Sequence, residues 1–192
     1  MNKSDCIVFD DVTIAYGTEE AVRNISFSVP NGEVFAIVGE SGSGKSTLVS
    51  AAFGMLKQAT ITGQILLNGI DISTLSDSDW RKLRGTEISM IFQNPSAYLN
   101  PNRTVENHFK DLFRAHDESY DASRVIDMLN LVHLDGGERI LQSYPFQLSG
   151  GMQQRLAIAL SLILKPTIVF ADEPTSALDI LVQASVLDLL RE

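Results

Sequence analysis

The sequence predicts an α/β fold, and three observations predict it. A β-branched apolar run from Val34 to Val38 breaks into Gly39-Glu40-Ser41-Gly42-Ser43-Gly44-Lys45-Ser46, after which apolar residues recur at helical spacing from Ser46 to Leu56. Two further short apolar runs, Ile88 to Phe92 and Thr167 to Ala171, read as buried strands, and each delivers polar residues at its C-terminal end: Gln93 after the first, Asp172 and Glu173 after the second. Between them Thr104 to Leu134 is helical in pattern, with Val125, Met128, Leu129 and Val132 at i, i+3, i+4 and i+7. Buried-type strands interleaved with helical segments give the class.

Residues Gly39 to Ser46 satisfy G-x-x-x-x-G-K-[ST], the phosphate-binding loop, in full. The chemistry asks for these residue types because a polyphosphate must be wrapped by backbone N–H groups, and glycine lets the chain approach that closely. Lys45 supplies a point charge to the β- and γ-phosphates. Ser46 lies in the first turn of the following helix, where its hydroxyl can reach Mg²⁺ and the helix N-terminus adds a partial positive charge. Thr47 is placed for a second phosphate contact.

Before this loop, Ile7 to Tyr16 alternates apolar and polar with a phase change at Asp10-Asp11, and Ile25, Phe27 and Val29 alternate before a Pro30-Asn31-Gly32 turn. These predict short antiparallel strands leading into the loop. Tyr16 ends one of them, as a ring to stack on a nucleotide base or as an ordinary strand-end tyrosine. Downstream, Ile65 and Leu67, Asn68-Gly69, then Ile70 and Ile72 predict a hairpin. Ser76 to Arg84 predicts a short helix with Ser76 and Asp79 in capping-box spacing; its Arg81, Lys82 and Arg84 read as a solvated face. Asn94-Pro95 through Asn100-Pro101 predicts loop, because two prolines prevent continuous helix.

Gly136-Gly137 ends the helical run, and Tyr144-Pro145 leads to Leu148-Ser149-Gly150-Gly151-Met152-Gln153-Gln154-Arg155. Ser149 serves as N-cap of a nearly all-apolar helix reaching Leu164, and Gly150 and Gly151 beside it make a second anion site or a plain glycine-rich cap. Asp172 and Glu173 form an adjacent carboxylate pair whose burial would be costly without a cation or hydrogen-bonded water. Asp172 suits a magnesium ligand that acts from behind the inner coordination sphere or through a water, and Glu173 a base that holds and deprotonates an attacking water. Pro174 to Asp179 predicts a turn and Ile180 to Leu190 an amphipathic helix. His108, His116 and His133 lack metal-ligand spacing and are assigned no role.

Composition sets outer bounds. With 192 residues, 44% of them hydrophobic, the chain can bury one substantial core with an appended subdomain. A formal net charge of −9 argues against a protein that holds nucleic acid by its phosphates. The single cysteine, Cys6, cannot form an internal disulfide, so a reducing compartment is expected. The N-terminal MNKSDCIVFDD has no long apolar segment, so no signal peptide is expected. No stretch approaches the roughly 18 apolar residues of a membrane span; the longest, Leu156 to Leu164, carries Ser161 and runs into Lys165-Pro166.

Five motifs in this order resemble the ATP-binding-cassette ATPases over essentially the whole sequence. Tyr16 is similar to that family's base-stacking aromatic, Gly39 to Thr47 to its P-loop, and Gln93 to the glutamine that senses Mg²⁺ and the γ-phosphate. Leu148 to Arg155 resembles its signature segment, and Ile168 to Glu173, followed by Ser176-Ala177-Leu178-Asp179, its second nucleotide motif and dimer-contact loop. The resemblance implies a RecA-like P-loop core with an N-terminal antiparallel β subdomain, together residues 1–94 and 150–192, and a helical subdomain at about 95–149. It implies ATP and Mg²⁺ as ligands, with Ser46, Gln93 and Asp172 toward the metal and Lys45, Gln93 and Glu173 as catalytic residues. It further implies a sandwich dimer, homo- or heterodimeric, in which Ser149 to Gly151 and Asp179 of one subunit face the nucleotide on the other.

More narrowly, Met90 to Pro95 with Leu99-Asn100-Pro101, and Tyr144 to Arg155, are similar to the oligopeptide, dipeptide and nickel importer branch. That branch implies a peripheral subunit on the cytoplasmic face of the membrane, permease partners docked beside the glutamine loop, and an extracellular or periplasmic solute-binding protein acting indirectly. A soluble cassette working in DNA repair or translation, and a truncated, catalytically silent dimerising module, stay open as alternatives. The family also carries a switch histidine in a strand-end loop beyond the glutamate, whereas no histidine follows Glu173 before the sequence ends at Glu192. The expectation is therefore a fragment or truncated product lacking the last core strands, with weak ATP binding and little or no turnover of its own.

Overall fold

In the computed structural model, which describes residues 5–174 and 180–189, the chain divides after Arg81 into two compact units. The first is built on an antiparallel sheet of β1 (Asp5–Tyr16), β2 (Glu19–Pro30), β3 (Thr60–Leu67) and β4 (Ile70–Asp71), in the order β2-β1-β3-β4. The phase change predicted at Asp10-Asp11 is a bulge. Phe9 faces the core at one parity and Val12 and Ile14 at the other, with Asp11 at φ 49° and register shifts against both neighbours. Side chains pin the bulge: the Ser26 hydroxyl accepts from the Asp11 N–H at 2.9 Å, and the Thr13 hydroxyl accepts from the Asn24 N–H at 3.0 Å. The predicted hairpin joins β3 to β4, with Asn68 and Gly69 at φ 48° and 79°, the signs a two-residue type I′ loop requires.

Helix α1 (Lys45–Ala52) follows the glycine-rich loop. It is shorter than the predicted Ser46 to Leu56, because Gly54 at φ 70° ends it: the Met55 N–H donates to the Ser50 carbonyl and the Gly54 N–H to that of Ala51. The predicted strand Val34 to Val38 is corrected. Residues 33–40 adopt no regular structure, and Val34 and Val38 are 73% and 89% exposed. A buried strand draws its ladder from neighbours on either side, and among the described residues no strand pairs with this segment. Phe35 does stack on Phe27, ring centroids 5.0 Å apart. The capping box of α2 (Asp77–Leu83) forms as predicted, the Asp79 carboxylate accepting from the Ser76 N–H and hydroxyl.

In the second unit β5 (Ile88–Ile91) lies parallel to β6 (Ile168–Ala171), paired in register from Ile88 with Ile168 to Ile91 with Ala171. Both strands therefore end at one edge. The predicted helical run Thr104 to Leu134 is two helices, α3 (Val105–Ala115) and α4 (Ala122–Leu131), broken where Asp117 takes φ 56°. Each has its own N-cap, Thr104 and Asp121. A short α5 (Glu138–Gln142), absent from the sequence reading, precedes α6 (Gly150–Leu162), which Ser149 caps by accepting from the Met152 N–H. α6 ends two residues short of the predicted Leu164, and α7 is Ile180–Leu189. The predicted stripe is core: Val125, Leu129 and Val132 are fully buried with Phe109, Phe113, Leu156 and Ile158. His108 is structural, its Nδ1 donating to the Thr104 carbonyl at 2.8 Å and its Nε2 accepting from the Asn100 N–H at 3.0 Å.

Candidate functional site

The candidate residues fall in both units. In the first, Gly39 to Ser43 form an exposed loop that runs through half-buried Gly44 into α1, whose first turn carries Lys45, Ser46 and Thr47. Gly44 stands at the N-cap with φ 89° and offers no side-chain cap, so the first-turn N–H groups of α1 receive no acceptor from the cap residue. A Cβ at Gly44 would lie 2.5 Å from the Ala21 carbonyl oxygen, so both the backbone angle and its close packing require glycine there. The Lys45 ammonium turns back over the loop and donates to the carbonyls of Gly39 at 2.9 Å and Glu40 at 2.6 Å, with the Ser43 hydroxyl at 3.5 Å. The loop thus gathers one cation, a hydroxyl and a helix N-terminus that carries no side-chain cap, the donor set a polyphosphate calls for. Ser41, Gly42 and Ser46 are exposed and Thr47 is half-buried. Tyr16 is 43% exposed at the end of β1.

In the second unit the parallel pairing of β5 and β6 sends Gln93 and Glu173 off the same strand edge, and the Gln93 amide donates to the Glu173 carboxylate at 2.7 Å. The two residues are 80 apart in sequence. Glu173 has φ 46°, a left-handed conformation uncommon outside glycine. The expected burial of the two carboxylates is corrected: Asp172 is half-buried and Glu173 exposed, because the chain leaves the ladder after Ala171 and solvent reaches both. The Asp172 N–H remains tied to the Ile91 carbonyl at 2.9 Å.

Ser149 spends its hydroxyl on capping α6, while Gly150 and Gly151 form the helix's first turn. Among the described residues a Cβ at Gly150 would meet nothing within 4 Å. Asp179, with Ser176, Ala177 and Leu178, lies outside the described residues. Among the described residues no cluster of three or more His, Cys, Asp or Glu could hold a metal ion. Ser46 in the first unit, and Gln93 and Asp172 in the second, each carry a hard oxygen donor of the kind Mg²⁺ takes.

One residue of this region escaped the sequence reading. Gln154 on α6 is fully buried, and its amide donates to the Pro174 carbonyl at 2.8 Å and, at 3.5 Å, to that of Phe92. The signal was available. Gln154, Ala157, Ile158 and Ser161 share one helix face by spacing, and two polar residues on the buried face of an apolar helix imply partners. Ser161 has one too, donating to the Met90 carbonyl at 3.1 Å.

The family model for the ABC transporter matches residues 22–176. The dipeptide transport ATP-binding protein DppD of Bacillus subtilis is 48% identical over 183 residues, covering 92% of this chain and 54% of the relative. The oligopeptide transport ATP-binding protein OppD of Lactococcus lactis is 41% identical over 184 residues, and DppD of Escherichia coli 40% over 192, with 54% and 59% of those proteins covered. The chain thus spans about half the length of the curated relatives it matches. Among solved structures, a dimeric post-hydrolysis state of the ATP-binding cassette MJ0796 bound to ADP and Pi aligns with TM-score 0.84 and 32% identity, covering 96% of this chain and 81% of that one. Motif order, fold and sequence identity converge, and this protein belongs to the ABC transporter family.

Proposed function

We propose that this chain is the ATP-binding subunit of an importer, coupling ATP binding and hydrolysis to peptide uptake through permease partners. The observation that carries the proposal is the Gln93–Glu173 hydrogen bond at the shared end of β5 and β6, which pairs a proton acceptor with an amide that can orient a ligand. The names of the relatives given above favour peptides over nickel as cargo. The loop's N–H groups and Lys45 bind the phosphates, with Tyr16 toward the base. Ser46, Gln93 and Asp172 would hold Mg²⁺, which offsets charge on the phosphate oxygens when bound. Glu173 accepts a proton from water as its oxygen bonds to the γ-phosphorus; the bond to the β–γ bridging oxygen breaks, leaving ADP and phosphate.

The partners follow from the same reading. A second cassette faces Ser149 to Gly151 and Asp179, and the space left over Gly150 by the described residues suits close approach by another molecule. A permease helix docks beside the glutamine loop, near exposed Tyr98, with a solute-binding protein acting on the far side of the membrane. No helix among the described residues is long and apolar enough to cross a membrane, which suits a peripheral subunit on the cytoplasmic face.

The test is nucleotide binding and dimerisation of three proteins: wild type, Lys45→Ala and Glu173→Gln. Calorimetry with Mg-ATP should register binding by wild type and loss of it in Lys45→Ala. Size-exclusion chromatography should find Glu173→Gln as a nucleotide-dependent dimer, because a base worth roughly 10²–10⁴ in rate has been removed while the binding groups stay. An unchanged monomer with wild-type turnover in Glu173→Gln would overturn the assignment.

A further inference from the structure

A fully buried glutamine, Gln154, sits on α6 one turn inside the Ser149-capped N-terminus. Gln154 joins three elements within the second unit. Its backbone belongs to α6, while its amide nitrogen donates to the carbonyl of Phe92, which immediately precedes Gln93, and to that of Pro174, which immediately follows Glu173. Both acceptors are carbonyls, which fixes the side chain's orientation: nitrogen toward the two turns, oxygen away from them. The oxygen, Oε1, is buried and has no hydrogen-bond partner among the described residues. A buried amide left half-satisfied costs stability, and packing alone would be served as well by leucine or methionine at this site.

We infer that Gln154 is a positioning residue: it clamps the turns after β5 and β6 so that the Gln93 amide and Glu173 carboxylate meet, and ties both to the helix that carries Ser149 to Gly151. The clamp acts on the two main chains, through the Phe92 and Pro174 carbonyls. Its effect is geometric. Without it the Gln93–Glu173 bond joins two exposed side chains, and such a bond is worth little in water. Glu173 depends on the constraint most, since its left-handed backbone persists only where the surroundings over-determine it.

The inference rests on the proposed hydrolysis for its consequence but not for its test. In ¹⁵N-glutamine-labelled wild type, the Gln154 side-chain amide protons should exchange with solvent at least tenfold more slowly than those of free glutamine, as a buried donor to carbonyls must. Exchange at the free rate overturns the clamp without any variant. In Gln154→Leu and Gln154→Glu, both close to the original volume, the Gln93 side-chain amide resonances should move to free-glutamine positions. Gln93→Ala should leave the Gln154 resonances unshifted, because dependence runs from the clamp to the pair. Gln93 resonances that stay put in both Gln154 variants overturn the inference.

Where wild type turns over ATP, Gln154→Leu should lower kcat about tenfold or more with KM for ATP within about twofold, since the phosphate loop lies in the other unit. A merely structural role would instead reduce the folded fraction and leave kcat per folded molecule intact. If wild type binds no nucleotide, the proposed function fails while the exchange and resonance measurements still decide the clamp.

Discussion

Asp121 shows how one side chain sets an element boundary that periodicity misses. Its carboxylate accepts from the Ser123 and Arg124 N–H groups at 2.9 and 3.3 Å and from the Ser123 hydroxyl at 2.7 Å. The Ser123 hydroxyl bond first, then the two backbone bonds, hold its pKa below the ordinary aspartate value. A carboxyl group whose folded pKa is depressed contributes stability that is complete above its unfolded pKa, about 3.9, and is lost as pH falls through the folded value. The melting temperature of wild type should therefore exceed that of Asp121→Ala by a constant margin near neutral pH, and the margin should narrow below about pH 4. Melts of both proteins from pH 7 to pH 2.5 test this; a gap that widens in acid contradicts the capping account. The polar run Asp117-Glu118-Ser119-Tyr120-Asp121 advertised the break between α3 and α4, but the apolar spacing on either side continues through it closely enough to read as one helix.

At the scale of elements, what local chemistry dictates was legible, and what depends on contact was not. The Ser76–Asp79 box, the Ser149 cap and the Asn68-Gly69 turn each follow from residues within a few positions of one another. The C-terminus of α1 was legible in principle, since Gly54 is the usual helix-ending residue, yet its second role depends on Trp80. A Cβ at Gly54 would come within 2.5 Å of the indole, in addition to the strain of a side chain at φ 70°. Gly54→Ala should destabilise the chain by about 2 kcal/mol, of which roughly 1 reflects the left-handed backbone and the remainder the overlap. Urea titration gives the total from the shift in midpoint at constant slope. In a Trp80→Ala background the same substitution should lose only the backbone part, so a double-mutant cycle separates the two; a coupling of zero would mean the indole does not press on this turn. In the second unit Gln93 and Glu173 were visible as strand-end polar residues, but their bond depends on the register of a parallel pair joined across some 80 positions.

For the molecule as a whole the informative contrast is between Val34–Val38 and Ile168–Ala171, two apolar runs of nearly the same character with opposite fates. Ile168 to Ala171 finds β5 and becomes a strand with Ile168 and Phe170 buried. Val34 to Val38 has no ladder partner among the described residues and stands exposed, held on one side by the Phe35–Phe27 stack. Composition states what a segment is suited to, whereas pairing is decided by which edges the rest of the chain presents. Hydrogen exchange tests the consequence directly. Amides of residues 34–38 should exchange with an opening free energy near zero, while those of Phe9, Ile65 and Leu66 in the sheet require opening on the order of several kcal/mol and exchange slower by about three decades or more. Repeating the measurement at rising protein concentration separates two origins of any protection. Protection that grows with concentration would mean that a second chain supplies the missing edge; protection equal to that of β3 in dilute solution would mean that the segment is a paired strand within the monomer, and the exposed geometry described here would be wrong.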